Sequence, residues 1–205
     1  PQVETRVRVF VNALTLELLD YYNNGFFTKA THLTKEIEDQ LENYGSRVDL
    51  SNRILFYFII AASYLADKQY ELSFTYFSKI INTERAEEIQ DLFIYARILS
   101  LITHYELGNT RIVESYLTSV KRYLKSKDKF FELEKETLAL LRELNKEKAP
   151  VHSLFENYLK KLDHLLKDPL EEKALAYFDF KKWGESKLTG KKMEELIRKD
   201  ADRIV

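Results

Sequence analysis

Apolar residues are concentrated in one central stretch, which runs from Ile54 to Ala66 and reads ILFYFIIAASYLA. This stretch contains no charged residue, yet it is shorter than the roughly 20 apolar residues that a bilayer-spanning helix needs. A helix that is apolar on every side belongs in the interior of a protein, covered by other helices. The pattern therefore predicts a buried central helix, which Asp49 or Ser51 caps at its amino end.

Apolar residues recur at helical spacing along most of the remaining chain. The predicted helices cover residues 3–23, 26–44, 70–82, 86–107, 110–126, 130–145, 151–167, 171–183 and 191–203. The segments between them are mostly short, and short loops join antiparallel neighbours. We therefore predict an all-α fold made of successive antiparallel helix hairpins.

The turns of the first three hairpins share a spaced pattern of residues. Tyr21, Gly25, Phe27 and Ala30 align with Tyr64, Lys68, Tyr70 and Ser73, and again with His104, Gly108, Thr110 and Val113. The offsets are 43 and 40 residues. A recurring supersecondary unit is typical of a helical-repeat architecture.

This pattern resembles the tetratricopeptide repeat (TPR) family over roughly residues 12–124. The second hairpin carries the fullest match, with Ala61, Tyr64, Tyr70, Ser73 and Phe77. The chain departs from the family in three ways: its period exceeds the usual 34 residues, Lys68 replaces the turn glycine, and the proline that ends a repeat is absent. The resemblance implies a right-handed array of hairpins, a TPR-like α-solenoid.

The domain organisation follows from where this pattern fades. Residues 1–126 form three TPR-like helix pairs, residues 127–167 form a fourth hairpin, and residues 168–205 form a C-terminal helical cap. We expect the predicted helix 171–183 to fold back onto the fourth hairpin, because its apolar stripe would otherwise face water. The segment ALAYFDFKKW within it is similar to helical-repeat proteins of the Bacteroidetes, a resemblance without a function attached.

The resemblance also implies a binding surface on the first helix of each hairpin, helix A. We call the predicted residues the helix-A surface; they are Leu16, Leu19, Tyr22, Leu55, Phe58, Ile59, Tyr95, Ile98 and Tyr105. Because these residues are apolar, the surface either binds a hydrophobic protein or peptide segment or is filled from within the chain. The basic residues with which TPR domains clamp acidic chaperone tails are absent, so that partner is not expected.

Composition narrows the choice of function. The chain has 32 basic and 33 acidic residues, and this balance argues against a protein that coats nucleic acid. It has no cysteine, which excludes thiolate catalysis and cysteine zinc sites. Four histidines, at His32, His104, His152 and His164, lie on different helices without a metal-ligand or catalytic spacing. We predict a cytoplasmic, non-enzymatic interaction scaffold that uses no cofactor and no metal.

Two lysine clusters leave an alternative function open. One surrounds Tyr123 and consists of Lys121, Arg122, Lys125, Lys127 and Lys129; the other surrounds Trp183 and consists of Lys181, Lys182, Lys187, Lys191 and Lys192. Basic residues interleaved with aromatics can bind phosphates and stack bases, although lysines at helix ends also simply face solvent. The alternative is thus a nucleic-acid or phosphate-binding regulatory module.

The first helix carries a further expectation. It lacks a polar amino-terminal cap, and its apolar residues spread over more than one stripe. A helix with more than one apolar stripe needs a second covering surface. We therefore predict that a preceding repeat or a second copy of the chain covers it, which makes self-association through this helix possible.

Overall fold

The computed structural model describes residues 2–83, 89–127 and 131–201. The helices in chain order are α1 (Gln2–Asn23), α2 (Phe27–His32), α3 (Thr34–Tyr44), α4 (Leu50–Ala66), α5 (Tyr70–Ile81), α6 (Gln90–Glu106), α7 (Thr110–Lys125), α8 (Glu132–Leu144), α9 (Val151–Leu165), α10 (Pro169–Glu172), α11 (Phe180–Thr189) and α12 (Met193–Ala201). Single 3₁₀ turns cover Gly45–Arg47 and Lys173–Ala176. No β-strand occurs within these ranges, so the all-α prediction is confirmed there. No helix among the described residues has the length and apolar character needed to cross a membrane.

Most predicted helix ends lie within a few residues of the observed ones. The second predicted helix is the first exception, because the chain breaks at Leu33 and forms α2 and α3 instead of one helix. The predicted helix starts at Ala86 and Phe130 lie outside the described residues.

Helix α4 is the centre of the packing. It contacts α1, α2, α3, α5 and α6, and every residue from 58 to 66 is buried. Its amino end is capped by the Asp49 side chain, whose Oδ1 accepts a hydrogen bond of 2.8 Å from the backbone N–H of Asn52. The predicted buried central helix is therefore confirmed, with Asp49 as its cap.

The small side chain of Ser73 lets three helices approach one another. Its hydroxyl donates to the carbonyl oxygen of Ala61 on α4 at 2.9 Å, and it lies 3.3 Å from the hydroxyl of Thr103 on α6. Both hydroxyls are buried, so these hydrogen bonds satisfy polar groups that would otherwise be costly to bury. A small residue at this position thus holds α4, α5 and α6 close together.

The three aligned turns have the same backbone conformation. Gly25, Lys68 and Gly108 all have a positive φ, at 75°, 64° and 72°. In each turn, the residue after this glycine or lysine donates its backbone N–H to the carbonyl oxygen five residues before it. The acceptors are Tyr21, Tyr64 and His104, with N···O distances of 2.7, 2.8 and 3.0 Å. This bond pattern is the Schellman motif that ends many helices. Lys68 therefore adopts the left-handed conformation that glycine usually provides. This turn thus has the same backbone geometry as the other two, although they have glycine at this position.

The C-terminal segment differs from the sequence prediction. The single helix predicted for residues 171–183 is wrong: the chain forms α10 and a 3₁₀ turn, runs through Tyr177–Asp179 without regular structure, and starts α11 at Phe180. Asp179 caps α11 by accepting a 2.8 Å hydrogen bond from the N–H of Lys182.

The sequence pattern places Gly184 in a loop between the predicted helices 171–183 and 191–203, and this prediction is also wrong. It lies inside α11, where an added Cβ would come 2.8 Å from Cδ2 of Leu159 on α9. The missing side chain lets α11 pack closely on α9, so the predicted docking of the C-terminal segment on the fourth hairpin is confirmed.

Candidate functional site

The nine residues of the helix-A surface lie in different environments. Phe58, Ile59, Tyr95 and Ile98 are buried, whereas Leu19, Tyr22, Leu55 and Tyr105 are partly exposed. Leu16 is the outlier, with 70% of its surface exposed. The surface is therefore largely covered, except at its amino-terminal end.

The residue that covers much of this surface is Tyr177, which belongs to the C-terminal segment. Its ring stacks on Tyr95, with centroids 4.2 Å apart and an interplanar angle of 14°. The rings of Tyr177 and Phe58 meet edge to face, with centroids 6.1 Å apart and an interplanar angle of 86°. The backbone carbonyl of Tyr177 accepts a 2.8 Å hydrogen bond from the hydroxyl of Tyr22. Three predicted binding residues from α1, α4 and α6 thus converge on one residue of the same chain.

The conformation of the C-terminal segment explains how Tyr177 reaches this position. The flanking aromatic side chains of Phe178 and Phe180 are fully buried and meet edge to face, with centroids 5.4 Å apart. Between them, Asp179 uses its carboxylate to start α11, and burial raises the pKa of that carboxyl group. Two buried phenylalanines and a helix cap therefore fix the segment and leave Tyr177 against the helix-A surface.

The hydroxyl groups around Tyr177 are uncharged hydrogen-bond donors. Burial raises the pKa of Tyr22 and of Tyr95, so both phenols stay protonated at neutral pH. Tyr22 donates to the Tyr177 carbonyl, and Tyr95 donates to Oε1 of Glu134 at 2.7 Å. The surface can therefore recognise a backbone carbonyl or a carboxylate beside an aromatic ring.

Comparison with protein-family models, with curated proteins and with solved structures found no match to this chain. The TPR resemblance stays a prediction that rests on the residues of the three turns and their common backbone geometry.

The C-terminal segment continues past Tyr177 to the amino-terminal hairpin. Trp183 donates from Nε1 to Oε1 of Glu106 at 2.8 Å, and Lys187 forms an ion pair with the same carboxylate. Further on, Ile197 lies against Gly25, and the guanidinium of Arg198 lies 4.9 Å from the ring centroid of Phe26. The segment therefore runs along the molecule from the fourth hairpin to the first.

The two predicted lysine clusters differ in how far their charges are paired. Around Trp183, which is buried, Lys181 pairs with Asp163 and Lys182 pairs with Glu185. Around Tyr123, Lys121 and Lys125 make no ion pair within the described part of the chain. Lys129 lies outside the described residues. Within the described residues, unpaired positive charge therefore remains on Lys121 and Lys125 in the first cluster and on Lys191 and Lys192 in the second.

Two lysines of the first cluster, Lys121 and Lys125, line a cleft between α7 and α8. Lys121, Lys125, Lys135 and Arg142 surround a floor of Leu138 and Ala139. The cleft has a volume of about 340 Å³. Lys135 also pairs with Glu132 on its own helix. The other three cations make no ion pair with any residue that the structure describes. The ring of Tyr123, in contrast, is occupied by Arg97, whose guanidinium lies 4.2 Å from its centroid.

The histidines do not form a site among the described residues. His104 is buried between aromatic rings, with the Phe74 centroid 4.6 Å away, and burial lowers the pKa of its imidazole. Across residues 2–83, 89–127 and 131–201, no three acidic, histidine or cysteine side chains are grouped to hold a metal ion.

Two carboxylates, of Glu134 and Glu171, are buried, which the sequence pattern does not predict. Glu171 accepts hydrogen bonds of 2.9 Å from the backbone N–H groups of both Glu132 and Leu133, and so caps α8 from a distant part of the chain. Glu134 is buried beside Tyr95. A signal was available for Glu134, because it shares a stripe with Leu138 and Leu141 at helical spacing.

The outward face of α1 carries exposed apolar residues. Val9 and Leu16 are seven residues apart, so they lie on one side of the helix, and they are 61% and 70% exposed. Self-association through this helix stays a prediction.

Proposed function

We propose that this chain is a non-enzymatic protein-interaction module of TPR-like type, and that its helix-A surface binds an extended segment containing an aromatic residue. The observation that carries the proposal is the convergence of Tyr22, Phe58 and Tyr95 on Tyr177. These three residues provide a hydroxyl donor for a backbone carbonyl, an aromatic edge contact and a stacking face. Together they fit an extended peptide with a tyrosine or phenylalanine side chain.

In this proposal, the chain's own C-terminal segment is the resident occupant of the surface. A tethered segment competes at a high effective concentration, so a partner in trans binds weakly unless the segment moves away. The partner that fits best resembles the segment itself, with an aromatic residue next to a buried phenylalanine and an acidic residue. The proposed module is therefore closed at rest and open to partners that displace residues 177–180.

The test is a titration of a fluorescent peptide with the sequence of residues 174–183 against the full chain. We expect weak binding to the unchanged protein and at least about tenfold tighter binding to Tyr177→Ala, because that change weakens the internal competitor. In the Tyr177→Ala variant, a further Tyr95→Phe change should preserve peptide binding, whereas a further Phe58→Ala change should abolish it. Equal affinity of the peptide for the unchanged protein and for Tyr177→Ala contradicts the proposal.

A second candidate function is the binding of phosphate groups in the α7–α8 cleft. The observation that favours it is that Lys121, Lys125 and Arg142 surround one cleft and make no ion pair within the described residues. Such a site gives an affinity that falls steeply with salt. A Lys121→Ala, Lys125→Ala variant should lose affinity for a single-stranded oligonucleotide, whereas Lys160→Ala, Lys167→Ala removes two exposed lysines elsewhere and serves as the control. Equal, salt-independent binding by all three proteins counts against this function.

A further inference from the structure

A second pocket lies beside Tyr177, between α6, α8 and the start of the C-terminal segment. Its volume is about 200 Å³, several times the roughly 30 Å³ that one water molecule occupies in the liquid. Three aromatic residues, Tyr95, Phe131 and Tyr177, form much of its wall. Two carboxylates, of Asp91 and Glu134, also line it. Aromatic walls and acidic groups thus meet in one small space.

Glu134 has an unsatisfied oxygen in this pocket region. The residue is only 2% exposed, and its Oε1 accepts the hydrogen bond from Tyr95. Its Oε2 is buried and has no hydrogen-bond partner. A buried carboxylate oxygen without a partner costs free energy, and a cation or a donor at this position would recover it.

Asp91 adds a second carboxylate to the pocket. The Tyr177 hydroxyl donates to Oδ2 of Asp91 at 3.3 Å. Burial raises the pKa of Glu134, and the nearby charge of Glu171 raises it further. Aromatic faces and carboxylates together form the environment that attracts organic cations.

We propose that this pocket binds the ammonium group of an alkylamine, with the charged nitrogen beside the carboxylates of Glu134 and Asp91 and the alkyl chain against the aromatic wall. A metal ion is a poorer fit, because the described residues hold no group of three metal-ligating side chains. The amine can be a free small molecule or the lysine side chain of a protein, and the chemistry is the same for both. This site does not depend on the function proposed for the helix-A surface.

Lys173 is the internal alternative to such a ligand. It lines the same pocket, is exposed, and makes no ion pair within the described part of the chain. Its ammonium group can therefore compete for the acidic oxygens. Removing it gives a variant with a specific expectation, because an internal competitor lowers the apparent affinity of an external amine.

The experiment is isothermal titration of the full chain with n-butylammonium at low ionic strength, with n-butanol as the uncharged control ligand. We expect butylammonium to bind and butanol not to bind. Glu134→Gln should weaken amine binding at least tenfold, whereas Glu132→Gln, which changes an exposed carboxylate on the same helix, should leave it unchanged. Lys173→Ala should tighten binding.

A capped lysine tripeptide distinguishes the two sources of the amine. Binding of the tripeptide at the same site assigns the pocket to a protein lysine, and binding of butylammonium alone assigns it to a small amine. Circular dichroism checks the fold of each variant, and Asp91→Asn, expected to weaken amine binding too, replaces Glu134→Gln if that variant does not fold. The inference is overturned if the unchanged protein and Lys173→Ala both fail to bind butylammonium, or if the folded charge-removing variant binds it as tightly as the unchanged protein.

Discussion

Tyr177 stacks on Tyr95 across a sequence separation of 82 residues, with their ring centroids 4.2 Å apart. This contact joins the C-terminal segment to α6 and closes the surface that the sequence predicts as a partner-binding site. A stacked aromatic pair contributes about 0.5–1.5 kcal/mol beyond the burial of its area.

Replacing Tyr177 tests how much this contact stabilises the fold. We expect Tyr177→Ala to lower the free energy of unfolding by about 2–4 kcal/mol, because it removes the stack and leaves a gap against Phe58. Tyr177→Phe keeps the ring and removes only the 3.3 Å hydrogen bond to Asp91, so it should cost less than about 1 kcal/mol. Urea unfolding measures both variants, and similar losses for the two would show that the ring itself contributes little.

The central helix gives a second prediction. Phe58 is 3% exposed, so Phe58→Ala should cost about 2–5 kcal/mol through lost burial and a cavity. Leu16→Ala is the control from the same predicted surface, because Leu16 is 70% exposed and its truncation should change stability by less than about 0.5 kcal/mol. Thermal or urea unfolding measures the stability of both variants. A loss of unfolding free energy below about 1 kcal/mol for Phe58→Ala would show that α4 is peripheral.

Glu171 gives a third prediction, since its carboxylate caps α8 with two hydrogen bonds to backbone N–H groups. Glu171→Ala removes both acceptors and the favourable charge at the helix amino end, so we expect a loss of about 1–3 kcal/mol. Glu172→Ala is the matched control, because its neighbouring side chain is exposed. If the two variants are equally stable in urea, the cap has no energetic role.

The buried carboxyl of Glu134 makes stability depend on pH. Burial raises its pKa above the ordinary value of 4.5, so the folded protein holds this proton more tightly than the unfolded chain. Its contribution to stability is therefore present below about pH 4.5 and is lost as the pH rises through the raised pKa. Glu134→Gln removes this loss, so its stability relative to the unchanged protein should increase as the pH rises above about 4.5.

Unfolding in urea at several pH values tests this prediction. Glu147→Gln changes an exposed carboxylate and should show no such trend relative to the unchanged protein. A stability difference for Glu134→Gln that is constant or falls with pH contradicts the assignment of a raised pKa.

The sequence predicts the local structure well and the long-range contacts poorly. Helical spacing locates α4 and most other helices, because amphipathic periodicity is a property of each segment alone. The position of Tyr177 could not be predicted, since the break before Asp179 depends on burying Phe178 and Phe180 against distant helices. Gly184 shows the same limit: its sequence context suggests a loop, yet its close contact with Leu159 keeps it inside a helix.

For the helix-A surface, the sequence predicts which residues lie together but not what covers them. The TPR resemblance implies one surface that contains apolar residues of α4 and α6, and Phe58 and Tyr95 do contact the same aromatic ring. The pattern left open whether a partner or the chain itself covers that surface, because hydrophobicity does not specify the identity of the covering group. Glu134 and Glu171 were missed because a carboxylate is normally read as a solvent-facing residue.

The central claim is that the C-terminal segment lies along the molecule from the fourth hairpin to the first, and a cysteine cross-link tests it most directly. The natural chain has no cysteine, so Phe26→Cys with Arg198→Cys creates a single reactive pair where the two side chains now touch. Treated with a short bismaleimide at low protein concentration, this variant should form an intramolecular cross-link in high yield, while Lys146→Cys with Arg198→Cys provides the comparison pair without a contact between the two residues. A yield for the 26–198 pair no higher than for the 146–198 pair would contradict the account.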